Sequence, residues 1–62
     1  MDGKRFAEMR RRAGLSQSQL AEKAGLKLTT IQKWENRNIE NAYIGLLKKA
    51  ADAMGCKVDD LI

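Results

Sequence analysis

From Lys27 to Lys33 the chain reads Lys-Leu-Thr-Thr-Ile-Gln-Lys, and helical spacing sorts that run into two faces. Leu28, Thr29, Gln32 and Lys33 fall on one side, while Thr30, Ile31 and Trp34 fall on the other. Thr29 and Lys33 stand one turn apart, so both can project into the same groove. Their chemistry suits the edges of base pairs. A lysine ammonium can donate to guanine O6 and N7, and a Thr or Leu methyl can touch a thymine methyl. Gln17 offers both a donor and an acceptor, enough to serve a phosphate and a neighbouring side chain together. Trp34 shares a face with Thr30 and Ile31, which favours core packing over stacking on a nucleotide.

Catalytic chemistry lacks its parts. The chain has no His, and Cys56 is its single cysteine, so acid–base and nucleophilic catalysis have few candidates. An intrachain disulfide cannot form and a zinc site lacks its usual ligands, so neither metal nor cofactor is expected. Cys56 reads as a small core hydrophobe. Phe, Tyr and Trp occur once each, too few exposed aromatics for a typical RNA reader. No apolar run approaches the roughly 20 residues of a membrane span. No apolar stretch follows the basic residues at the start, which points to the cytoplasm, at the nucleoid when DNA is bound.

The net charge of +4 is unevenly placed. Lys4, Arg5, Arg10, Arg11 and Arg12 oppose Asp2 and Glu8 in residues 1–14, and Lys23, Lys27, Lys33 and Arg37 oppose Glu22 and Glu35 in residues 15–38. From residue 39 onward, Lys48, Lys49 and Lys57 are outnumbered by Glu40, Asp52, Asp59 and Asp60. A basic first two-thirds suits one face turned toward phosphates. Arg11 and Arg12 read as solvated or as loose phosphate contacts.

The elements that must position these groups are helices. Sixty-two residues make one domain, 1–62, burying only about 60% of the surface the unfolded chain exposes. Helix formers dominate and Pro is absent. The periodicity predicts an all-α, compact bundle of five short helices at about 4–13, 17–24, 28–36, 42–54 and 58–61. Gly14, Gly25 and Gly55 stand at helix ends, where Gly is the usual stop. Ser16 and Gln19 form a capping-box pattern ahead of the second helix. Phe6, Met9 and Ala13 are the apolar stripe of the first helix, Leu20, Ala21 and Ala24 that of the second, and Tyr43, Leu46, Leu47, Ala50, Ala51 and Met54 that of the fourth. Two short helices joined through Gly25, the second amphipathic, make a helix-turn-helix, with Ala21 and Ala24 small enough to let the pair approach closely.

Leu15-Ser16-Gln17, Leu20-Ala21, Gly25-Leu26, Ile31 and Trp34-Glu35-Asn36 together resemble the phage-repressor family of helix-turn-helix proteins (lambda repressor-like, Cro/cI-type, XRE). Phe6, Met9 and Arg10 match its opening, and Leu47, Ala51, Met54, Gly55, Cys56 and Leu61 its closing helix and tail. The resemblance implies a transcriptional regulator, chiefly a repressor, that binds double-stranded DNA on a two-fold operator with helix three in the major groove. It implies a phosphate-contacting brace at Gln17, with Ser18 beside it in the DNA-binding set. It places Lys27, Leu28, Thr29, Gln32 and Lys33 toward the DNA, and Asn36, Arg37 and Asn38 near its backbone. Arg10 and Glu35 match a structural pair that joins helix one to the end of helix three. Lys27 stands where a Ser or Thr cap is usual, so Thr29 or Thr30 is an alternative helix start. Arg37 replaces a usual Gly, leaving Asn36 or Asn38 to take any left-handed turn.

A single domain of this size buries little surface on DNA, so a weak homodimer is expected, with Val58 to Ile62 as its contact. The rival reading is an antitoxin-like or accessory module that uses the same fold to bind a toxin-like protein partner.

Overall fold

The computed structural model describes residues 3–36 and 44–61. Four α-helices follow one another: α1 (Gly3–Arg12), α2 (Gln17–Ala24), α3 (Leu28–Asn36) and α4 (Ile44–Met54), and a 3₁₀ turn covers Val58–Asp60. There is no strand among the described residues.

Local chemistry sets each boundary. At the start of α2 the Ser16 hydroxyl accepts from the Gln19 N–H at 3.1 Å, and the Gln19 side-chain carbonyl oxygen accepts from the Ser16 N–H at 2.8 Å. Two donors that a helix start leaves without partners are thereby satisfied. At its end Gly25 adopts φ 71°, a left-handed conformation that costs a residue with a Cβ about 1–2 kcal/mol. That turn lets the Leu26 N–H reach the Ala21 carbonyl at 2.8 Å and the Gly25 N–H reach that of Glu22, a Schellman closure. The same pair of bonds closes α1 through Leu15 and Arg10, and α4 through Cys56 and Ala51. In each case the residue after Gly is apolar and packs against the core.

Phe6, Leu20, Ile31 and Leu61 are fully buried, one from each of α1, α2 and α3 and one from the tail. Trp34, Leu47, Ala50 and Ala51 complete the centre, and Phe6 meets Trp34 edge-on with ring centroids 5.5 Å apart. α2 packs on both α3 and α4, and α1 packs on α3. Ala21 is buried at the α2 side of this junction, and its small side chain permits the close crossing.

The five-helix expectation needs correcting at its last member. Asp60 and Leu61 donate to the carbonyls of Lys57 and Val58 in i→i+3 bonds, and the Asp60 carboxylate accepts from the Lys57 N–H at 3.0 Å. Leu61 is drawn into the core immediately afterwards, so the segment remains a single tight turn. Two apolar assignments also shift. Ala13 lies just beyond α1 and is exposed, whereas Ala53, outside the expected stripe of α4, is buried. Tyr43 and the expected helix start at residue 42 lie outside the described residues.

Candidate nucleic-acid interface

α3 begins at Leu28. The Lys27 carbonyl accepts from the N–H groups of Thr30 at 3.0 Å and Ile31 at 3.3 Å. The ammonium of Lys27 has no acceptor with which to cap the first turn. Ile31 and Trp34 turn inward and anchor the helix. Lys27, Leu28, Thr29, Gln32, Lys33 and Asn36 are exposed. Thr29, Gln32, Lys33 and Asn36 are brought together around a shallow groove of about 310 Å³. Leu28 stands at the other end of the helix, 38% exposed. None of these side chains is engaged in a hydrogen bond or ion pair with another described residue. Ser18 is exposed on α2. Arg37 and Asn38 lie outside the described residues, while Asn36 is the last residue of α3 and does not take a left-handed turn.

The end of α3 is held by a saturated polar cluster. Arg10 grips the Glu35 carboxylate with two donors, Nε to Oε2 at 2.7 Å and Nη2 to Oε1 at 3.0 Å. Its third donor, Nη1, reaches the Leu15 carbonyl at 2.8 Å. Gln17 Nε2 adds a bond to Glu35 Oε1 at 3.2 Å. The Arg10 and Glu35 side chains are only 11% and 6% exposed. Bidentate geometry is among the strongest forms of this contact. One cluster thus joins α1, the turn before α2, the first residue of α2 and the last turn of α3.

Gln17 and Asn36 also line a second, larger groove of about 780 Å³, together with Lys4, Arg11 and Glu35. Asn36 borders both grooves, which makes it the corner between them. Sequence reasoning does not single out Lys4 and reads Arg11 as solvated or as a loose phosphate contact; the structure brings both to the edge of the larger groove. Arg12 instead pairs with Glu8 at 2.6 Å on the exposed side of α1.

Cys56 sits half-buried against the core. Burial pushes its thiol up from the ordinary value, and the nearby Asp60 carboxylate adds to the rise while Arg5 opposes it. Among the described residues no group of His, Cys, Asp and Glu gathers in the manner of a metal site, and no helix is long and apolar enough to cross a membrane.

A short, capped second helix laid against an amphipathic third, with the outer face of the third left open, defines a helix-turn-helix domain. The helix-turn-helix family model matches residues 6–61, and the chain belongs to that family, in its phage-repressor branch. Among solved structures, the biofilm master regulator SinR in complex with DNA is similar at a TM-score of 0.89 and 33% identity, covering 98% of this chain and 97% of that one. The solution structure of the N-terminal DNA-binding domain of SinR from Bacillus subtilis is similar at a TM-score of 0.87 and 33% identity, covering 98% and 88%. Curated protein sequences gave no match.

Proposed function

We propose that this chain is a transcriptional repressor that binds double-stranded DNA sequence-specifically, with α3 in the major groove. The observation that carries the reading is the outer face of α3. Thr29, Gln32, Lys33 and Asn36 converge there with their hydrogen-bonding capacity unused by the described residues, on a helix whose other face is anchored by Ile31 and Trp34. Likeness to a DNA-bound regulator over nearly the full chain supports it.

In this reading Thr29, Gln32 and Lys33 meet base edges, and Leu28 offers methyl contact to thymine. Lys27 and Ser18 lie at the margins against phosphates. Gln17 spends one Nε2 hydrogen on Glu35 and offers the second to a phosphate oxygen. Asn36, followed by Arg37 and Asn38, approaches the backbone from the corner between the grooves. The function is binding without catalysis, and its place is the cytoplasm, where the DNA is. One domain buries roughly 600–1,000 Å² on DNA, so two copies on a two-fold operator supply the specificity.

Selection of duplexes from a random library, followed by footprinting and a salt titration, tests this. A selected duplex should lose affinity as salt rises, by about 0.9 in log–log slope for each phosphate neutralised. Failure to enrich any duplex, or an affinity that ignores salt, would overturn DNA binding and leave the protein-partner reading.

A further inference from the structure

The first residue of α1 approaches α3 more closely than a side chain would allow. Gly3 is buried. A Cβ at Gly3 would lie 2.5 Å from the Glu35 carbonyl oxygen, 2.6 Å from that of Trp34 and 2.9 Å from the Glu35 carbonyl carbon. Relaxed contacts between carbon atoms lie near ~3.5–4.0 Å, and these atoms are backbone, which cannot swing aside. The backbone conformation does not demand glycine here, because the positive φ values belong to Gly14, Gly25 and Gly55. Helix propensity favours alanine. Space is what requires glycine.

Phe6 and Arg10 follow Gly3 at helical spacing on the same stripe of α1. Phe6 meets Trp34 edge-on, and Arg10 holds Glu35. All three anchors therefore land on two consecutive residues of α3, immediately before Asn36. We infer that Gly3 is a positioning residue of the DNA interface: its bare backbone lets α1 seat on the last carbonyls of α3 and so fixes where Asn36 and the end of the reading face meet DNA. This rests on the function proposed above. A methyl at residue 3 levers the start of α1 away from α3 about the Phe6–Trp34 contact. Thr29 and Lys33 keep their side chains throughout.

The test compares wild type with Gly3→Ala and Gly45→Ala. Gly45 is the control, a helical glycine of α4 whose added Cβ would meet nothing within 4 Å. Each protein is melted, and its affinity is measured for the duplex enriched by wild type and for a scrambled duplex of the same length and composition. Partial unfolding weakens both affinities alike, so their ratio reports positioning rather than stability. Gly3→Ala should melt lower than wild type and reduce the ratio roughly fivefold or more, the lower bound for misplacing one base-reading side chain. Gly45→Ala should leave the ratio unchanged and melt at or above wild type. If Gly3→Ala folds poorly, trimethylamine N-oxide restores the compact state without added salt. An unchanged ratio overturns the positioning role alone, and a melt at or above wild type overturns the close seat itself. If wild type enriches no duplex, the functional reading fails, and this inference with it.

Discussion

On its inner side α3 gives the Glu35 carboxylate to three donors, Arg10 Nε, Arg10 Nη2 and Gln17 Nε2, in a nearly closed cluster. On its outer side, within two turns, Thr29, Gln32, Lys33 and Asn36 face solvent without partners among the described residues. Polar side chains of similar reach thus have opposite fates on one nine-residue helix. The saturated side fixes the helix, and the unsaturated side keeps its donors and acceptors for something outside the chain. Gln17 stands next to the first side, bonded to Glu35, and borders the larger second groove, which meets the outer-face groove at Asn36.

The harshest disruption of that contrast is Glu35→Ala. It leaves the Arg10 guanidinium without its carboxylate in a part-buried site, and losing hydrogen bonds to a charged group there costs about 1.5–3 kcal/mol. In a domain this small that should abolish cooperative unfolding near 37 °C, as followed by circular dichroism. A double replacement, Arg10→Met with Glu35→Leu, should recover much of the loss because no charge is left stranded.

The outer face should respond in affinity rather than stability. Thr29→Ala combined with Lys33→Ala should cost about 1–3 kcal/mol of discrimination for each base that is no longer read. Its stability should stay within about 0.5 kcal/mol of wild type. A large drop in melting temperature would show that these side chains are part of the scaffold after all.

Gln17→Ala probes the boundary between the two sides. Removing its bond to the carboxylate should reduce stability by about 1 kcal/mol, since Arg10 still satisfies Glu35. It should also weaken selected and scrambled duplexes to similar extents, because a phosphate contact carries no sequence information. A change confined to the selected duplex would place Gln17 among the reading residues.

The smallest effect belongs to Arg12→Ala. Its pair with Glu8 is as short as the Arg10 contact, but the two side chains are 65% and 47% exposed. An exposed i,i+4 pair is worth about 0.3–0.5 kcal/mol and fades with salt. Comparing its thermal melt with that of Glu35→Ala sets one exposed contact against a part-buried carboxylate held by three donors.

Much of this fold is legible in short stretches of sequence. Ser16 and Gln19 define the start of α2, and Gly25 followed by Leu26 defines its end, because those bonds close within a few residues. The split of α3 into Ile31 and Trp34 against Thr29 and Lys33 follows from helical periodicity. The resemblance to phage repressors adds the pairing of Arg10 with Glu35, which periodicity does not supply. The last segment is less legible. Asp59 and Asp60 mark a helix start there, but the burial of Leu61 and the bond from Lys57 to Asp60 hold the segment as one 3₁₀ turn.

Which side chains on Lys27–Lys33 could read a base pair, and which helices would carry them, follows from the order of residues alone. How that face is anchored follows only from the assembled fold. The fold brings Gln17 to Glu35, draws Leu15 into the grip of Arg10, makes Asn36 the corner of two grooves and seats Gly3 on the carbonyls of Trp34 and Glu35. Capping and periodicity are local and are written residue by residue. These other contacts depend on how α1, α2 and α3 cross, and a crossing is set by the whole core at once.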